Sequence, residues 1–162
     1  MVAPIAAFLA ALVVGSFFEY AGHRLMHRRW VLGRRHAEHH RVGLGQGVLG
    51  EFRDYLMALP VVGWLGFLYS VQAGIAFAAG AAVYAFIAAY CHQVNHERPE
   101  LVFWMPRPVH HIHHSHRLWH HNFGIAVDVW DRVAGTYKAV EWKPERRAGG
   151  RAPREYLRVK WY

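Results

Sequence analysis

Residues 55–91 read YLMALPVVGWLGFLYSVQAGIAFAAGAAVYAFIAAYC, a stretch of 37 residues without a charged side chain or a histidine. A membrane-spanning helix needs about 20 consecutive, mostly apolar residues. The stretch is therefore long enough for two spans joined by a tight turn near Ser70–Gly74. A buried helical hairpin of a soluble protein is the alternative, but so long an uncharged run in a chain of 162 residues favours the membrane.

A second charge-free run, Met1–Phe18, predicts one more span. It lacks the basic n-region of a secretory signal peptide, so we expect it to be retained. All 19 Lys and Arg residues fall within Arg24–Arg53 or Arg98–Lys160. A three-span arrangement puts both basic stretches on one side of the bilayer, and the positive-inside rule assigns that side to the cytoplasm. Membrane topology thus explains the formal charge of +8 without nucleic-acid binding.

The 14 histidines all lie outside the two charge-free runs, and ten of them follow spacings typical of metal ligands. Residues three or four apart share one face of a helix, so each His-x3-His pair can point at one ion, and the first histidine of each longer group shares a face with both later ones. Neutral imidazole is the commonest metal ligand, and one ion takes about four to six ligands, so ten imidazoles predict more than one ion. The spacings are His23-x3-His27, His36-x2-His39-His40, His92-x3-His96 and His110-x2-His113-His114.

Other classes of membrane protein explain this pattern less well. A haem protein with paired axial histidines would carry them within the spans, where this sequence has none. A transporter would need polar groups at the middle of the membrane, and these runs offer few. A membrane zinc-binding protein without catalytic activity remains the non-enzyme alternative.

The stretch His110–Tyr137 reads HHIHHSHRLWHHNFGIAVDVWDRVAGTY. With the order of the four clusters around an apolar hairpin, it resembles the fatty acid hydroxylase/sterol desaturase superfamily, whose closing signature matches H-x2-HH, Asn122-Phe123-Gly124 and Trp130–Thr136. The resemblance covers about Glu19–Tyr137. The clusters are also similar to those of bacterial carotenoid hydroxylases, which lack the closing tryptophan–aspartate and glycine–threonine element. Members of the superfamily usually have further transmembrane helices upstream of the first cluster.

The resemblance implies an integral membrane enzyme that uses dioxygen and external electrons to hydroxylate or desaturate a lipid. It implies a dinuclear centre of two Fe ions, with Zn possible in the purified protein, and O2 as co-substrate. Hydroxylation of a fatty acyl, sterol or related lipid is the preferred prediction; a desaturase or a carotenoid hydroxylase with the same site is the alternative. The metal ligands implied are His23, His27, His36, His39, His40, His92, His96, His110, His113 and His114.

Electrons must come from a separate partner, because the sequence has no dinucleotide fingerprint and no haem-attachment motif. A ferredoxin-like protein, a cytochrome or a reductase fits this need. The basic cytoplasmic face is suited to an acidic carrier or to anionic lipid headgroups, and we favour the headgroups. The sequence does not indicate an oligomeric state.

Several residues are candidates for an additional ligand or for a contact that orients a ligand. Histidine ligands usually donate their second ring N–H to a carboxylate or a carbonyl. Of the acidic residues near the clusters, Asp54 is a candidate because it lies at the end of the predicted second span, and Asp131 because it belongs to the closing signature. His120 and His121, which directly precede Asn122, complete the candidates.

The sequence therefore predicts an all-α fold, an integral membrane helical bundle with about three transmembrane helices and a cytoplasmic, histidine-rich metal-binding cap. We expect residues 1–140 to form a single domain and residues 141–162 a basic C-terminal tail. If the source is bacterial, the inner (cytoplasmic) membrane is the expected location.

Overall fold

The computed structural model describes residues 2–143 and 152–162, and every regular element in these ranges is helical. The two longest helices, α1 (Val2–His27) and α5 (Val71–Glu97), have 26 and 27 residues. The shorter ones are α2 (Gly33–Val42), α3 (Val48–Leu56), α4 (Leu59–Val62), α6 (Val109–Ser115) and α7 (Val129–Val133). Short 3₁₀ helices lie at Leu65–Leu68, Pro99–Leu101 and Pro153–Leu157. The predicted all-α class is confirmed for the described residues.

Helices α1 and α5 pack against each other and run in the same direction. Gly80 of α5 lies so close to Phe8 of α1 that a side chain there would meet the Phe8 carbonyl. Further along, Tyr84 packs on Gly15 and donates a hydrogen bond of 2.8 Å to Glu19. Because the contacts advance together along both helices, their carboxyl ends, which carry the two His-x3-His pairs, meet at one end of the molecule.

Both long helices have the length and composition of a membrane span. At about 1.5 Å per residue, each is roughly 40 Å long, whereas the hydrocarbon core of a bilayer is roughly 30 Å thick. Their carboxyl-terminal turns are therefore long enough to extend out of a bilayer, as the sequence predicts for the segments that begin at His23 and His92.

The middle one of the three predicted spans is not a single helix. Between Tyr55 and the turn at Ser70 the chain forms only the end of α3, the four-residue α4 and one 3₁₀ helix. Pro60 lacks a backbone N–H and its ring clashes with the preceding turn of a helix, and Gly63 has a low helix propensity. Continuous span-length helices in the described chain thus number two rather than three.

The interrupted segment still runs back along α5 in the opposite direction. The ring of Phe52 lies 5.6 Å from that of Phe86, centroid to centroid, and Phe67 packs over Gly74 near the start of α5. Ser70 caps α5, its hydroxyl accepting the N–H of Ala73 at 3.1 Å. The turn at Ser70 therefore lies at the end of the bundle opposite the histidines, where the sequence predicts it.

The described C-terminal residues, 152–162, pack beside α3 and α5. Val159 is buried with Val48 and Val94. The carbonyls of Lys160 and Trp161 accept the N–H groups of Val48 and Leu49 at the start of α3, where a helix has no internal acceptors. The division into a domain of residues 1–140 and a tail of residues 141–162 stays a prediction.

Candidate metal centre

Five imidazoles from three helices converge at the carboxyl end of α1, and we call this group cluster A. Their candidate ligand atoms all lie within 4.8 Å of one another. The Nε2 atom of His27 lies 2.9 Å from that of His36, 3.1 Å from that of His40 and 2.9 Å from that of His113. The members are His23 and His27 of α1, His36 and His40 of α2, and His113 of α6.

Four more imidazoles converge at the carboxyl end of α5 as cluster B, again with ligand atoms within 4.8 Å of one another. Its members are His39 of α2, His96 of α5, and His110 and His114 of α6. The ring of His92 lies beside this group, with centroids 4.6 Å from His110 and 4.7 Å from His96. Nine of the ten predicted ligands thus lie within two clusters, and the tenth contacts cluster B.

The local sequence explains how two short helices serve both clusters. In α2, His36 and His40 share one face and join cluster A, while His39 points to cluster B. In α6 the pattern is exchanged: His110 and His114 join cluster B, while His113 joins cluster A. The rings of His40 and His114 stack at 3.9 Å, so the two clusters adjoin.

The donor chemistry of both clusters fits metal ions. A neutral imidazole has one N–H donor and one acceptor nitrogen, so a group of converging ring nitrogens cannot satisfy itself by hydrogen bonds alone. The Nε2 atoms of His23, His39 and His114 are buried and have no hydrogen-bond partner among the described residues. Every member of both clusters is a histidine. Such converging nitrogens are stabilised by a bound cation.

The imidazoles outside the long helices are held in the form that binds metal. Burial, followed by the effect of neighbouring imidazoles, lowers the pKa of His36 and His40 to about 2. Burial also lowers the pKa of His39 and His113 to about 4. These rings are therefore neutral at pH 7, and neutral imidazole is the metal ligand.

A loop that we call the strap, Phe123–Ala126, orients one ring of cluster A. The Nδ1–H of His23 donates to the Phe123 carbonyl at 2.6 Å. The first two strap N–H groups donate to the buried carboxylate of Asp131 at 2.9 and 2.7 Å. The next two donate to the buried carboxylate of Glu19 at 2.7 and 3.3 Å. Four consecutive backbone N–H groups are thus held by two carboxylates, which fixes the carbonyl that contacts His23.

Helix α3 places a carboxylate against His92. Glu51 Oε1 lies 3.0 Å from His92 Nδ1, and both side chains are more than nine-tenths buried. The same oxygen accepts the N–H of Gln46 at 3.1 Å. Burial favours the neutral form of Glu51, but the adjacent His92 and the Gln46 N–H outweigh it and lower its pKa. Sequence reasoning missed Glu51; its only signal is that it lies one turn before Asp54, on the same face of α3.

The further residues predicted beside the ligands have other partners in the structure. Asp54 pairs with arginines of α2 and α3 rather than with a histidine. His120 is exposed, and His121 contributes its carbonyl, which accepts the Nδ1–H of His113 at 2.7 Å. Asp131 reaches a ligand only through the strap. A direct metal contact by any of these residues stays a prediction.

Comparison with known proteins agrees with the geometry. No solved structure matches the chain. Ornithine lipid hydroxylase OlsE of Rhizobium tropici is 32% identical over 148 residues, which cover 78% of this chain and 40% of that protein, so the chain spans less than half the length of this relative. The family model described as fatty acid hydroxylase matches residues 8–136, a range that includes all ten predicted ligands. The protein therefore belongs to the fatty acid hydroxylase family.

Proposed function

We propose that this protein is a membrane-bound, O2-dependent hydroxylase that inserts one oxygen atom into a C–H bond of a lipid. The observation that carries the proposal is the pair of adjoining clusters A and B at the ends of two span-length helices. Two ions are expected, one in each cluster. Imidazole suits iron, zinc and copper alike. Oxidation of an unactivated C–H bond requires a redox-active metal, so iron is the catalytically active ion in this proposal and zinc is an inactive substitute.

Two iron ions, when bound, supply the redox chemistry that activates dioxygen. The protein's own residues hold and shield the site. Helices α2 and α6 fix the two clusters relative to each other. The strap orients His23 in cluster A, and Glu51 lies against His92 beside cluster B. Phe123 is 3% exposed and its ring lies 5.6 Å from that of His23. It covers cluster A on the side of His23 and keeps water from that side, which protects a reactive oxidant from side reactions.

The substrate in this proposal reaches the clusters from the bilayer. Along α1 the charge-free run ends at Phe18, and His23 follows after little more than one turn. A lipid that enters beside the spans therefore brings a carbon to the metals without leaving the membrane. The similarity to an ornithine lipid hydroxylase makes ornithine-containing lipids the first candidates, ahead of free fatty acyl chains and sterols.

Comparative lipid analysis tests the reaction. We expect membranes of a host that expresses the protein with an electron donor to contain a lipid with one added oxygen, absent with the His113→Ala variant. Because the desaturase alternative removes two hydrogens instead, mass spectrometry separates the two reactions. An unchanged lipid profile from iron-loaded protein supplied with electrons would reject both reactions and favour the non-catalytic zinc-binding protein.

A further inference from the structure

Trp119 is an exposed aromatic residue that contacts cluster A. Its ring centroid lies 4.9 Å from that of His40 and 5.8 Å from that of His27, and the residue is 46% exposed. Phe123, which packs on the same cluster, is buried. Trp119 therefore contacts both the solvent and two predicted metal ligands.

Trp119 lies on the side of cluster A that faces away from the apolar part of α1. His27 is four residues beyond His23, about 6 Å further along the helix axis from the charge-free run. Phe123 packs on both of these rings, whereas Trp119 contacts the distal one, His27. A lipid that arrives along the spans and a molecule that arrives at Trp119 thus approach cluster A from different sides.

The exposed residues next to Trp119 in the chain include a cation, Arg117, and no acidic side chain. His116, Arg117 and His120 are all exposed, and residues 110–127 include no acidic side chain. An arginine beside an accessible aromatic ring, in a segment without acidic side chains, complements an acidic protein surface and favours its association.

On the basis of the proposed function, we infer that Trp119 and Arg117 form the docking site of an acidic, soluble one-electron carrier protein. The indole is the group that brings the carrier into contact with cluster A. Lipid hydroxylation consumes one C–H bond, one O2, two electrons and two protons, and yields one alcohol and one water. Each docked carrier is oxidised by one electron and the metal centre is reduced by one, so two docking events serve one turnover.

The test measures electron delivery apart from lipid oxidation. Full-length, iron-loaded protein in detergent is mixed without oxygen with a reduced plant-type ferredoxin, an acidic [2Fe–2S] carrier, and oxidation of the ferredoxin is followed by stopped-flow absorbance. Dithionite, a small reductant that needs no docking site, is used in parallel. The variants are Trp119→Leu, Trp119→Phe and Arg117→Glu. The controls are Trp30→Leu, an indole that is 73% exposed and lies beside Arg28, and Arg53→Glu on α3.

We expect Arg117→Glu to slow ferredoxin oxidation about tenfold at low ionic strength, with the difference shrinking as salt is added. Trp119→Leu should slow it at every salt concentration, and Trp119→Phe should restore part of the rate. Reduction by dithionite, iron content and both control variants should match the wild type. If Trp119→Leu prevents iron loading, Trp119→Phe and Arg117→Glu still decide the question.

Equal ferredoxin rates for the wild type, Trp119→Leu and Arg117→Glu would overturn the docking site. So would a Trp119→Leu variant that is reduced normally but oxidises a different position of the lipid, because Trp119 would then line the lipid path. Wild-type protein that is reduced by dithionite but not by ferredoxin rejects this inference alone. Protein that binds no redox-active iron rejects the proposed function itself.

Discussion

The two ring nitrogens of His23 and of His113 have separate roles. The Nδ1–H groups of His23 and His113 donate to backbone carbonyls at 2.6 and 2.7 Å, which leaves each Nε2 atom unprotonated. The Nε2 atom of His23 is buried without a partner, and that of His113 lies 2.9 Å from the Nε2 of His27. The backbone thus selects the tautomer that a metal ion requires.

The first prediction compares two histidines of the same segment. His113 is fully buried in cluster A, whereas His116 is exposed outside both clusters. We expect about two metal ions per chain in purified wild-type protein, close to two in His116→Ala, and fewer in His113→Ala, which also loses lipid oxidation. Elemental analysis of protein in mild detergent gives the stoichiometry. Metal loss in His116→Ala with full occupancy in His113→Ala would show that the ligands are assigned to the wrong positions.

A second prediction concerns the two acidic residues of α3. Glu51→Gln removes the negative charge beside His92, so we expect metal affinity at cluster B to fall about 10- to 100-fold while cluster A keeps its ion. Asp54→Asn is the matched control, because Asp54 pairs with surface arginines. Metal titration with Mössbauer spectroscopy of iron-57 distinguishes the two ions. Equal loss of both ions from Glu51→Gln would contradict a local effect.

At the scale of elements, the sequence predicts the long helices and the helices that carry histidines. It does not predict which groups orient the histidine rings. Charge-free runs and ligands spaced three or four apart specify α1, α2, α5 and α6 locally. The partners that orient the rings come from distant parts of the chain: Glu51 lies beside His92, and Glu19 holds the N–H of Ile125. Such pairings depend on tertiary packing, which periodicity does not report. Hydropathy alone also does not reveal the helix breaks, because Pro60 and Gly63 are themselves uncharged and do not interrupt the charge-free run.

A third prediction tests the strap as a unit. Asp131 accepts two backbone N–H groups and the Thr136 hydroxyl, and an asparagine would turn an N–H donor toward one of them. An unsatisfied buried donor costs about 1–3 kcal/mol. We therefore expect Asp131→Asn to lower the free energy of unfolding by that amount and to weaken metal binding at cluster A. Asp128→Asn, which affects an ion pair with Arg132 at the surface, should cost less than about 1 kcal/mol.

Thermal unfolding and metal competition measure the two effects of the strap variants separately. If Asp131→Asn unfolds earlier but binds metal as tightly as the wild type, the strap stabilises the fold without orienting His23. If Asp128→Asn behaves like Asp131→Asn, the effect belongs to the α7 region in general rather than to the four strap N–H groups.

At the scale of the whole molecule, the parallel order of α1 and α5 constrains the membrane topology. Two successive helices that cross a bilayer in the same direction require the chain between them to cross back. If α1 and α5 both span the bilayer, the return is made by the part of that chain that runs back beside α5, where α3 has nine residues and α4 has four. A broken backbone is tolerated at membrane depth only where protein covers its polar groups. Phe52 and Phe67 pack on α5, so α5 covers one face of the segment, while Leu68 and Tyr69 stay exposed.

The last prediction follows from this topology. The chain has one cysteine, Cys91, which is 6% exposed, so wild-type protein should resist a membrane-impermeant maleimide and serve as its own control. Tyr69, 78% exposed beside the turn at Ser70, and Lys138, exposed at the histidine end, are suitable sites for new cysteines. In intact bacterial cells we expect Tyr69→Cys to be labelled from outside and Lys138→Cys only after the membrane is permeabilised. The basic residues at the histidine end favour the cytoplasm, and labelling of both sites from one side would mean that the return segment does not cross the bilayer.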